Sequence, residues 1–139
     1  MSDGTYAGDI APKKTFETIH ANGIMVDVRT RAEWGYVGTP LLPQLILTEW
    51  QTYPDMGVNP HFTEQVIAEI TKRGGTKSTP IYFLCRSGVR SKSAARALTE
   101  AGFTHCYNIS DGFEGPPDEM GHRGNIAGWK ADGLPWRQN

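Results

Sequence analysis

Cysteine and net charge are both scarce in this chain of 139 residues: two Cys (Cys85 and Cys106), and 14 Lys plus Arg against 15 Asp plus Glu. Two thiols are too few for a disulfide framework or a four-cysteine zinc site. A net charge of −1 leaves no electrostatic footprint for nucleic acid or an anionic membrane, so neither is expected as a partner. Long apolar runs are also missing. The longest charge-free apolar stretch, Val37 to Leu47, contains Pro40 and Pro43 and is too short to span a bilayer. Met1 to Ala11 holds no Lys, no Arg and no apolar segment, so it is not expected to act as a secretory signal. The expected location is the cytoplasm. An apolar fraction of 38% and a charged fraction of 21% argue against disorder, and the length fits a single domain. The excess is in Gly and Pro, 16 and 9 residues, above the usual combined value of roughly 12% but below low complexity.

Helix and strand signals alternate along the chain. Pro12 to Ala21 reads as a short amphipathic helix closed by Asn22-Gly23, and Ile24 to Val28 as an apolar strand. Leu45 to Leu47 is a second strand. Asn59-Pro60 predicts an N-cap and first helical residue, followed by Phe62, Val66 and Ile70 on one face. Ile81 to Leu84 is apolar throughout, as in a strand buried on both faces. A helix is expected over Ser91 to Ala101, a strand over Cys106 to Ile109, and a short last helix from Trp129 to Ala131. The tail between Asp111 and Gly133 carries six glycines in 23 residues and reads as loop. This alternation predicts a small single-domain α/β protein, with a central parallel sheet flanked by helices. Sites in such sheets form at the carboxyl ends of strands, here Asp27 to Arg29 and Cys85 to Ser91.

The second of these places carries the chemistry. Cys85-Arg86-Ser87-Gly88-Val89-Arg90-Ser91 runs from a buried strand into a helix. Unpaired N–H groups at a helix start and the positive end of its dipole stabilise an anion, which favours thiolate over thiol. Arg86 and Arg90 add two cations that do not deprotonate, and Gly88 lets the loop curl so that N–H groups converge. The sequence predicts a nucleophilic sulfur in an anion-binding cradle. A buried structural thiol is the plainer alternative for Cys85 and the expected role of Cys106, which lies in an apolar strand without a nearby cation.

Three segments in order resemble the rhodanese (thiosulfate sulfurtransferase) family. They are Val26-Asp27-Val28-Arg29 with Glu33-Trp34, the loop Cys85 to Ser91, and Asn108-Ile109 with Gly112 followed by Gly128-Trp129-Lys130 through Trp136. The resemblance spans roughly residues 12 to 136 and leaves 1–11 as an N-terminal extension to a domain over 12–139. It implies a persulfide on Cys85, a cradle formed by Arg86, Ser87, Gly88, Val89, Arg90 and Ser91, and neither cofactor nor metal. The implied partners are a small anionic sulfur donor and a thiol acceptor, with a sulfur-accepting protein as one form of the latter. Two departures stand out. Gly35-Tyr36-Val37-Gly38-Thr39-Pro40 replaces the family's Gly-His-Ile-Pro-Gly-Ala, and an extra loop occupies about 113–128. That loop is long enough to fold over the mouth of the site, with His122 and Arg123 as its candidate lid residues.

The expected reaction moves a sulfane sulfur from thiosulfate or a persulfide to a thiol or cyanide. A non-enzymatic sulfur-relay or sensing module is the alternative. A phosphatase or arsenate reductase of the same fold is disfavoured, because those loops place five residues between Cys and Arg and here four separate Cys85 from Arg90. Supporting roles are expected for Asp27, Arg29 and Glu33: Asp27 bonding loop N–H groups or orienting Arg90, and Glu33 pairing with Arg29. Two ordinary surface ion pairs are the alternative.

Overall fold

The computed structural model describes residues 5–52 and 55–138. Its elements in chain order are β1 (Gly8–Ile10), α1 (Pro12–Thr18), β2 (Ile24–Asp27), α2 (Arg31–Val37), β3 (Thr39–Pro40), β4 (Leu45–Leu47), β5 (Gln51–Thr52) and β6 (Gly57–Val58). They continue with α3 (Phe62–Lys72), β7 (Ile81–Leu84), α4 (Arg90–Glu100), β8 (Cys106–Ile109) and β9 (Trp136–Arg137). Five strands form one sheet in the order β1-β8-β7-β2-β4, with every pairing parallel. The α/β fold with a central parallel sheet and helices is therefore as the alternation required.

Burial explains the strand composition. All four residues of β2 and all four of β7 are buried, because in a parallel sheet helices and loops cover both faces. One face packs Val26, Ile81 and Phe83 against Phe62, Val66 and Ile70 of α3 and Ala94, Ala95 and Leu98 of α4. The other packs Met25, Tyr82, Leu84 and Ile109 against Ile19, Phe113 and Trp129. Thus Phe113 and Trp129, both fully buried, make the late glycine-rich segment part of the core. No helix among the described residues is long and apolar enough to cross a membrane.

Several local expectations change. Gly8–Ile10, inside the segment read as an extension, is an edge strand paired with Tyr107 to Ile109. The helix expected from Asn59-Pro60 begins two residues later at Phe62. Asn59 Oδ1 accepts instead from the His61 N–H at 3.0 Å, and the Asn59 carbonyl from the Phe62 N–H at 3.1 Å, forming a turn ahead of the helix. Trp129 to Ala131 is a turn rather than a helix. The Trp129 and Lys130 N–H groups donate to the carbonyls of Gly112 and Phe113 at 2.9 and 3.1 Å, which takes them out of any local helical ladder. Helix α2 escaped the apolar pattern because it buries none of its residues fully. It is held by a capping box in which Thr30 accepts from the Glu33 N–H and Glu33 accepts from the Thr30 N–H.

Candidate active site

Strand β7 delivers Cys85 to the carboxyl edge of the sheet, and the next four residues turn into the N-terminus of α4. The thiol is 1% exposed. Its Sγ accepts the Gly88 N–H at 3.1 Å and lies 3.2 Å from Ser91 Oγ. Gly88 adopts φ +105°, a backbone setting that side chains disfavour and that aims its N–H back at the sulfur. Arg86 and Val89 are exposed, Val89 at 73%, and Ser87 is half-buried.

The charged residues pair differently from expectation. Glu33 does not pair with Arg29. It receives Nη1 and Nη2 of Arg90 at 2.7 and 2.9 Å, a two-bond fork between α2 and the start of α4. Burial pushes the Glu33 carboxyl up, but the Arg90 fork and the Thr30 N–H outweigh it and hold it at about 2. Arg90 is raised in turn, chiefly by its bonds to Glu33 and further by the nearby Cys85 and Asp27.

Asp27 neither orients Arg90 nor bonds the loop N–H groups. Its Oδ1 accepts the Arg29 Nε–H at 2.9 Å and its Oδ2 accepts Nη2 at 2.6 Å, with both side chains wholly buried. Arg29 Nη2 also reaches the Gly38 carbonyl at 2.7 Å, and its guanidinium carbon lies 4.3 Å from the Phe113 ring centre. This is a buried pair supported from three sides, not a surface ion pair. Two residues of side-chain length suffice for Asp27 to meet Arg29 at a strand end, whereas Glu33 on α2 faces α4.

The late segment closes over the backbone of the same loop. Phe113 N–H donates to the Cys85 carbonyl at 2.8 Å, and the Glu114 and Gly115 N–H groups donate to the Arg86 carbonyl at 3.0 and 3.1 Å. Gly112 makes this approach possible: at φ +59°, a Cβ there would fall 2.3 Å from the Cys85 carbonyl oxygen. Arg123 donates through Nη1 to the Gly115 carbonyl at 2.7 Å, so it braces this contact. The exposed His122 instead joins a turn in which its N–H donates to Asp118 Oδ1 at 2.9 Å. Cys106 is fully buried, and burial pushes its thiol up to about 11. It belongs to the core, as expected. Among the described residues, no three His, Cys, Asp or Glu side chains converge as a metal site requires.

Two neighbours of this site entered the sequence reading only as part of the third resembling segment, with no role in the site. Asn108 of β8 accepts from Ser91 Oγ through Oδ1, and Gly112 permits the loop-to-loop approach. The glycine was legible as one of six in the late segment. The role of Asn108 was not, because it depends on β8 lying beside β7.

Known proteins place the chain. A family model described as "Rhodanese-like domain" matches residues 12–115. Uncharacterized proteins of Rickettsia conorii and Rickettsia prowazekii are 40% and 37% identical over 119 residues, covering 84% and 86% of both chains in each case. The crystal structure of Rv0390 from M. tuberculosis is 45% identical with a TM-score of 0.82, covering 97% of this chain and 100% of that one. The polysulfide-sulfur transferase homodimer from Wolinella succinogenes shares the fold, with a TM-score of 0.61 at 20% identity over 94% of this chain and 78% of that one. With that family model over residues 12–115, and relatives at 37–45% identity over more than four fifths of its length, the chain belongs to the rhodanese-like domain family.

Proposed function

We propose that the protein is a sulfurtransferase that carries sulfane sulfur on Cys85, with thiosulfate or a persulfide as donor and a thiol as acceptor. The observation that carries this reading is the setting of Sγ, with a backbone N–H at 3.1 Å and a hydroxyl at 3.2 Å at the start of a helix. The Cys85 thiolate attacks the outer sulfur of thiosulfate. A Cys85–S bond forms, the donor S–S bond breaks, and sulfite leaves with the electron pair. The persulfide that results is anionic, so the Gly88 N–H and the Ser91 hydroxyl suit it as they suit the thiolate. An acceptor thiolate then takes the outer sulfur and returns Cys85 to its thiolate, in two-step covalent catalysis.

Arg90 supplies positive charge while staying fixed by Glu33, and the exposed Arg86 is free to meet the sulfonate oxygens of an arriving donor. A sulfur only 1% exposed favours donors whose reactive atom is terminal and unencumbered over bulky phosphate esters. The exposed Val89 and Arg86 border the loop where an acceptor, either a small thiol or a protein cysteine, would approach. The Wolinella protein of the same fold is named a polysulfide-sulfur transferase, which agrees with a sulfur-loaded Cys85.

Intact-protein mass spectrometry after exposure to thiosulfate or a persulfide tests the reading, beside Cys85→Ser. A gain of one sulfur by the native protein, absent in the variant and removed by cyanide or a thiol, is expected. No gain with any donor would overturn it.

A further inference from the structure

A chain of hydrogen bonds links Cys85 to the edge of the sheet. Ser91 Oγ lies 3.2 Å from Sγ and also contacts Asn108 Oδ1. Asn108 Nδ2 donates to Asp9 Oδ1 at 2.9 Å, and the Tyr6 hydroxyl donates to the same oxygen at 2.7 Å. Ser91 and Asn108 are buried and Asp9 is exposed. Tyr6 and Asp9 precede residue 12, outside the stretch that the family model matches.

The protons available along this chain give it a direction. The Ser91 hydroxyl has one proton and two acceptors within reach, Sγ and Asn108 Oδ1. An ionised carboxylate only accepts, so the amide atom that faces Asp9 must be Nδ2, and the carbonyl oxygen must face Ser91. Bonds from Asn108 and Tyr6 hold the Asp9 carboxyl below its ordinary value, so it stays ionised at neutral pH. With the amide locked, a protonated sulfur completes the chain: S–H donates to Ser91 Oγ, and Ser91 donates to Asn108. An anionic sulfur draws the hydroxyl proton to itself and leaves Asn108 Oδ1 facing an oxygen lone pair.

We propose that Asp9 is a positioning residue for Cys85: by locking the Asn108 amide it draws the Ser91 hydroxyl proton away from the sulfur and restrains the thiolate. The proposal rests on the reading of Cys85 as the nucleophile. Other charges act on both ends. Lys92 and Arg96 of α4 act on Asp9; Arg90, itself under the influence of Glu33 and Asp27, acts on Cys85. None of them is removed by changing Asp9, so they form a constant background.

The test is the pH dependence of iodoacetamide alkylation at Cys85 in the full chain, read by peptide mass, for the native protein, Asp9→Ala, Asp9→Asn, Ser91→Ala and Asp9→Ala with Ser91→Ala. Freed from Asp9, the amide can turn Nδ2 toward Ser91, whose hydroxyl then donates to the sulfur. The alkylation midpoint of Asp9→Ala is expected about half a unit to one unit lower, the scale of one hydrogen bond. Asp9→Asn keeps an acceptor for Asn108 and is expected to shift it less. In the Ser91→Ala background the change at Asp9 is expected to shift nothing. An unchanged midpoint in Asp9→Ala overturns the proposal. So does an equal shift in Asp9→Asn, which would assign the effect to charge alone, or a shift that persists without Ser91. Asp9→Ser, too short to reach Asn108, gives the same reading should Asp9→Ala fold poorly. Alkylation needs no sulfur donor, so a failure of sulfur loading leaves this test intact.

Discussion

Glu33 and Arg90 meet through two parallel N–H···O bonds, 2.7 and 2.9 Å long, across 57 residues of sequence. The fork ties α2 to the residue that begins α4, one turn from the sulfur. Because Glu33 also closes the capping box with Thr30, one carboxylate stabilises a helix start and orients the cation that opens the helix after the Cys85 loop.

Removing that carboxylate therefore has two expected effects. Glu33→Gln leaves Arg90 half-buried without its partner, and we expect a loss of about 1–2 kcal/mol in urea unfolding after allowance for solvent screening. Sulfur loading from thiosulfate is expected to slow several-fold. A variant as stable and as fast as the native protein would show that the fork positions nothing.

The same pair predicts an acid limb to stability. The Glu33 carboxyl titrates near 4.5 when unfolded and at about 2 when folded. A depressed folded value means the stabilisation is complete above pH 4.5 and lost as pH falls toward 2. Unfolding free energy measured across that window should fall less steeply in Glu33→Gln than in the native protein.

Asp27→Asn tests the buried pair with Arg29. The change leaves a guanidinium at 0% exposure without a counter-charge, and we expect a loss of about 3–5 kcal/mol. Thermal unfolding measures it, and a shift of only a degree or two would refute the inferred dependence.

Gly112→Ala adds a Cβ 2.3 Å from the Cys85 carbonyl oxygen at a φ of +59°. The backbone must move, at an expected cost of about 2–3 kcal/mol, and the bonds from Phe113 to Cys85 and from Glu114 to Arg86 should loosen. Faster amide exchange at Phe113 and Glu114 is the readout; native-like exchange would contradict this account.

Thiol labelling separates the two cysteines. Burial holds Cys106 as a thiol up to about pH 11, so the native protein at pH 8 should leave it unlabelled and label both thiols once unfolded. Cys106→Ser should still gain one sulfur from a donor. Loss of loading in that variant would give Cys106 a part in transfer that its packing does not suggest.

The loop from Cys85 to Ser91 was legible in the sequence because its chemistry is local. Thiol, glycine and arginine sit within seven residues, between an apolar strand and an alanine-rich helix. The strands β2 and β7 were legible for a similar reason, since their apolar composition follows from burial on both faces. Strand β1 was not, because Gly8-Asp9-Ile10 has no apolar run and becomes a strand only by pairing with β8. The partners of Asp27 and Glu33 were misassigned from sequence, since four charged side chains within reach of one sheet edge allow several pairings.

The sequence by itself determined the α/β fold, the family, and the one thiol set at a helix start, because each depends on composition and spacing along a short stretch of chain. Only the tertiary structure decided that Glu33 holds Arg90, that Asp27 and Arg29 form a buried pair, and that Asn108 joins Asp9 to Ser91. Those contacts depend on how strands far apart in sequence lie side by side, and a hydrogen bond responds to tenths of an ångström that residue order does not encode.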